Sequence, residues 1–67
     1  MAKELNVTMK AAQRVEAAIN DNKNISDNMV QLNSIDWLII DESDDFSDEL
    51  RAHLFAHGIN EDEYEIN

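Results

Sequence analysis

Cysteine and proline are absent from this sequence, glycine occurs once, and lysine plus arginine number five against fifteen aspartates and glutamates. Without cysteine there is no disulfide framework and no thiolate metal site. One glycine cannot furnish a glycine-rich loop that cradles phosphates. With no proline either, no flexible linker divides the chain. The shortage of basic residues leaves a formal net charge of −10, which opposes direct binding to DNA, RNA or an anionic membrane. The longest strictly apolar run, Trp37-Leu38-Ile39-Ile40, is far short of the roughly 20 residues of a membrane-spanning helix. The start of the chain has no apolar stretch of signal-peptide type. The expected setting is therefore the cytoplasm, and the glycosylation-like triplets Asn6-Val7-Thr8 and Asn24-Ile25-Ser26 read as coincidence.

The 67 residues form a single expected domain, 1–67. A domain of this size hides only about 60% of the surface of its unfolded chain, too little to wall off a roomy catalytic pocket. Small cores of this kind are marginal, so a second copy or a partner is a natural source of extra stability.

Charge divides the chain unevenly. Residues 1–35 balance Glu4, Glu16, Asp21 and Asp27 against Lys3, Lys10, Arg14 and Lys23. Residues 36–67 hold eleven acids and only Arg51, so the whole net charge lies in the second half.

The expected fold class is α+β: two N-terminal helices, a short central strand, an acidic helix and a C-terminal edge strand, with an all-α bundle as the alternative. Leu5, Met9, Ala12, Glu16 and Ile19 follow three-four spacing, with Ala11, Val15 and Ala18 alongside, as in an amphipathic helix. Leu5, Val7 and Met9 also alternate as a strand would. Asp21 to Asn24 is a polar breaker. After it, Ser26 is the expected cap of a short helix to Leu32 that buries Met29, Val30 and Leu32. Ile35 to Ile40 reads as a buried strand. Phe46, Leu50 and Leu54 recur every four residues, which predicts a helix from about Asp45 or Ser47 to His57, with Asp48 and Glu49 in its first turn. Gly58 stands where a left-handed terminator belongs, and Tyr64 and Ile66 alternate as an edge strand.

Four constellations invite chemistry and each lacks a part. Trp37 to Ser43 imitates the Asp-Glu strand of a nucleotide-hydrolysing motor, but the phosphate loop is missing. Asp41, Ser43 and Asp45 alternate like the first ligands of a calcium loop. Phe46 and Ala52 then occupy the positions that need glycine and a bidentate glutamate. Glu49, His53 and His57 share a helix face at zinc-like spacing without an identifiable fourth ligand, and imidazoles near a helix C-terminus also suit its dipole. No serine sits in a nucleophile elbow. No catalytic residue, metal or cofactor is expected, and an enzyme is not the expected class.

What remains is the acidic surface. Seven carboxylates fall between Asp36 and Glu49, and Glu61, Asp62, Glu63 and Glu65 follow in the tail. Duplex DNA carries one negative charge per about 1.7 Å of axis, and carboxylates spread along one side of a compact domain approximate that field. Charge alone contributes little at an exposed surface, so an apolar neighbour is needed. Phe46, Phe55, Trp37 and Tyr64 are the aromatic candidates wherever exposed. In length and charge the chain resembles the small acidic inhibitors that phages direct at host nucleic-acid enzymes. The leading expectation is a non-enzymatic inhibitor or regulator occupying the basic nucleic-acid site of another protein. Asp41, Glu42, Asp44, Asp45, Asp48 and Glu49 would supply the charge and Phe46 the apolar contact. The alternative is an assembly subunit, or a homo-oligomer, packing through its N-terminal helix.

Overall fold

The computed structural model describes residues 3–67. Strand β1 spans Lys3–Val7, with Leu5 and Val7 buried between less covered neighbours. Alternation thus prevails over the helical spacing that joins Leu5 to Met9, and the expectation of a helix from Leu5 is corrected. The reason lies in Thr8. Its hydroxyl accepts the Ala11 N–H at 3.3 Å and caps a single 3-10 turn over Met9–Ala11. Helix α1 then runs only from Ala12 to Asn20.

The second expected helix is also corrected. Asn22, not Ser26, is the cap: its side-chain oxygen accepts the Ile25 N–H at 3.2 Å and starts the one-turn helix α2, Lys23–Ser26. Residues Met29–Gln31 instead form strand β2. Asn33 makes this possible, since its Oδ1 accepts the N–H groups of Ile35 (3.0 Å) and Asp36 (2.9 Å). That side-chain turn folds β2 back onto strand β3, Asp36–Ile39, with Val30 opposite Leu38. Helix α3 spans Asp44–Ala56 and strand β4 spans Tyr64–Ile66.

The four strands form one antiparallel sheet in the order β2-β3-β1-β4. With three helices on one side, the domain is α+β. Residues Leu5, Val7, Met29, Trp37 and Ile39 meet α1 and α3 in a single core with Val15, Ile19, Ile25, Leu50, Leu54 and Ile59. The apolar stripe of α1 (Ala12, Val15, Ala18, Ile19) is buried within the domain. That stripe is used inside the domain, whereas Met9, in the turn before α1, is exposed. Because side chains alternate along a strand, Glu4, Asn6, Val30, Asp36, Leu38 and Glu65 project from the opposite face of the sheet.

The end of α3 is closed by backbone bonds from Gly58 N–H to Phe55 C=O (2.9 Å) and from Ile59 N–H to Leu54 C=O (3.0 Å). With Gly58 at φ 76° this is a Schellman motif, and Leu54 and Ile59, whose backbones it joins, are both buried in the core. No helix among the described residues is long and apolar enough to cross a membrane.

Candidate functional site

The acidic surface is organised by two short-range devices. Asp41 Oδ1 accepts the Ser43 N–H at 3.0 Å, and Ser43 Oγ accepts the Phe46 N–H at 3.2 Å. The first tightens the loop after β3 and the second caps α3. Hydrogen bonds from the Ser43 backbone and hydroxyl, aided by the Lys3 charge, hold the Asp41 carboxyl below its ordinary range.

Helix α3 therefore begins earlier than its sequence spacing suggested. Asp44 and Asp45 occupy the first turn, where the helix dipole favours anions. Asp48 and Glu49 are corrected to the second turn. Asp44, Asp45, Asp48, Glu49 and the preceding Glu42 are exposed, while Asp41 is half-buried. Five of the six expected charged positions thus stand open to solvent around one helix start. Their cationic neighbours are few. Lys3 Nζ lies 3.2 Å from Asp44, and Arg51 lies 3.3 Å from Asp48. Both contacts are exposed enough to be weak. Lys3 also donates to the hydroxyl of buried Ser47 at 3.3 Å, which pins the first strand beneath the helix start.

Phe46 contributes little to this surface, flooring only a shallow concavity beside Asp41, Asp45 and Glu49. It is 5% exposed and belongs to the core, so its role as the apolar contact is corrected. The cause is visible in its spacing: Phe46, Leu50 and Leu54 form the one stripe by which α3 packs, and that stripe must face the sheet. Trp37 is buried too, on the inner side of β3. The exposed aromatic is Phe55, at 76%, two turns beyond Asp48 on the same open side of α3. Acids and then Ala52, Phe55 and Ala56 thus follow one another along a single helix face.

Beside this face lies an open groove of about 500 Å³ lined by Arg51, Ala52, Phe55, Ile59, Asn60, Glu61 and Tyr64. It separates the acids of α3 from those of the tail. Burial, then the charge of Glu61, pushes the Tyr64 hydroxyl above its ordinary value. Glu63 turns away from the groove to Arg14 and to the Asn60 N–H (3.2 Å). The Asn60 backbone bond, followed by that to Arg14, lowers its pKa.

The histidines serve the fold. A carbonyl can only accept, so the 2.6 Å approach of His53 Nε2 to the Ala18 oxygen assigns the proton to Nε2. By the same argument His57 Nδ1 donates to the His53 carbonyl at 3.0 Å, and His57 Nε2 lies 3.5 Å from Asp21. Glu49 is not among these contacts, and the described residues bring no three His, Asp or Glu side chains together as metal ligands. No protein-family model matches this sequence, and no curated protein or solved structure is significantly similar to it.

Proposed function

We propose that this chain is a non-enzymatic inhibitor or regulator, acting in the cytoplasm, that occupies the basic nucleic-acid site of another protein. The observation that carries this reading is the open side of α3. Asp44, Asp45, Asp48 and Glu49 stand exposed in its first two turns, Glu42 precedes them, and Phe55 follows on the same side. Such a surface offers phosphate-like charge and an aromatic anchor in one patch. Its long-range field speeds encounter with a cationic groove, and binding releases the counterions held by both partners, which makes it salt-sensitive.

The test is capture from lysate with duplex DNA as competitor. The captured protein should bind nucleic acid, and the DNA should displace it. Changing Asp44, Asp45, Asp48 and Glu49 together to Lys should abolish capture while the far-ultraviolet spectrum stays native. Capture that survives both this change and roughly 0.5 M salt, where the screening length falls to about 4 Å, would sink the proposal.

A second reading, an assembly subunit, draws on a different observation. Val30, Leu32 and Ile40 are exposed, and Leu38 stands half-buried beside Val30 on the sheet face that no helix of the described residues covers. In that case Val30→Lys with Leu32→Lys should dissolve the assembly in sedimentation velocity, and the α3 changes should leave it intact.

A further inference from the structure

Strand β4 ends the sheet order, and among the described residues no strand pairs with its outer edge. Which of its backbone groups are free follows from the ladder. Glu4 and Asn67 exchange both bonds, at 2.8 and 2.9 Å. Bonded and non-bonded pairs alternate in an antiparallel ladder. Asn6 and Glu65 are therefore the next bonded pair, while Leu5–Ile66 and Val7–Tyr64 are non-bonded pairs. Tyr64 and Ile66 consequently point their N–H and C=O groups away from β1, toward the open edge. Their side chains lie on the helix side with Leu5 and Val7, and that of Glu65 lies on the uncovered face with Asn6.

The groove lined by Tyr64, Ala52 and Phe55 opens beside this same edge. A strand added there would place one side chain next to Tyr64, at cross-strand distance, and so into the groove. Its next residue would face Glu65, and the one after would lie beside Ile66. We propose that β4 receives an extended segment of a partner protein that reads apolar–basic–apolar, by strand addition. Charge selects the partner's sign: Glu61 in the groove and Glu65 on the strand are exposed, and Arg51 is half-buried. A second copy is disfavoured, because pairing β4 with itself sets these glutamates against their own kind. The opposite edge, β2, contains no carboxylate, and its Gln31 side chain is engaged with Glu16 at 2.7 Å.

The inference does not rest on the α3 acids, and the experiment separates the two. The probe is a short capped peptide with a Leu-Lys-Leu centre and flanking lysines, titrated into the isotopically labelled chain. The expected result is saturable binding with exchange of the Tyr64 and Ile66 amides slowed about tenfold or more. The Glu65 amide, already bonded to β1, should change little. Ile66→Pro removes an outward N–H without cutting the β1 ladder and should abolish binding. Ala52→Arg, on the exposed face of α3, should fill the groove and abolish binding with the spectrum unchanged. The variant with four lysines on α3 should still take the peptide. Absence of binding, or binding with the Tyr64 and Ile66 amides unprotected, overturns the proposal. So does binding that tolerates Ala52→Arg.

Discussion

His53 of α3 donates from Nε2 to the carbonyl of Ala18 in the last turn of α1, across 2.6 Å. That carbonyl is one of the orphans at a helix end. Its neighbours find backbone partners, since Asp21 N–H bonds to Ala17 and Asn22 N–H to Ile19. One imidazole therefore completes a helix end that the local chain leaves open, and it joins the two long helices above the sheet.

Removing that donor should leave the Ala18 carbonyl unsatisfied, at a cost of about 1–2 kcal/mol. For a domain of this size each kcal/mol moves Tm by about 4–8 °C. His53→Phe keeps a ring and should fall nearly as far as His53→Ala. A thermal melt of His53→Phe that overlays the parent would show that the contact contributes nothing.

The two phenylalanines of α3 should separate stability from binding. Phe46→Ala opens a core cavity and should cost about 3–5 kcal/mol, a large share of the stability of a small domain. Phe55→Ala, at an exposed site, should change stability by less than about 0.5 kcal/mol and weaken partner capture. Urea titrations and capture assays on both variants check this, and the reverse pattern would refute the burial argument.

Gly58 should resist replacement for a conformational reason. Its φ is 76°, and a Cβ built there meets nothing within 4 Å. Gly58→Ala should therefore cost about 1–2 kcal/mol, the left-handed penalty of an L-residue. Gly58→Asn, which tolerates that region better, should cost less. Equal losses for the two in denaturant unfolding would point to sterics instead.

Acid should loosen the domain through three fastened carboxylates. Asp36 is lowered by its bonds to the Asn33 and Asn6 side chains, Asp41 by Ser43, and Glu63 by Asn60 and Arg14. A carboxylate whose folded pKa is depressed contributes its full stability above the unfolded value, about 3.9 for Asp and 4.3 for Glu. That contribution is lost as pH falls through the lower folded value. Asp36→Asn should accordingly lie below the parent in Tm at pH 6, and the gap should close toward pH 2. A gap that stays constant with pH would rule out this linkage.

Local chemistry made part of the fold legible. The Phe46-Leu50-Leu54 stripe, Gly58 and the Tyr64-Ile66 alternation act within a few residues, and α3, its terminator and β4 follow from them. The hairpin of β2 and β3 had a readable signal in Asn33 and Ser34, turn residues between two apolar runs. Strand β2 itself carries no such signal, because three residues hold no period of their own. The same stripe that predicted α3 also implied the burial of Phe46. Phe55 lies off that stripe, so the same spacing implied its exposure as well.

By itself the sequence determined the balance of charge and its confinement to residues 36–67. These depend on composition and order alone. Only the tertiary structure decided that Leu5 and Val7 are strand rather than helix, that the stripe of α1 is used up inside the domain, and that β4 offers a free edge beside Phe55. Each of those outcomes depends on a partner distant in sequence. A strand's bonding pattern and a side chain's exposure are set by what packs against them.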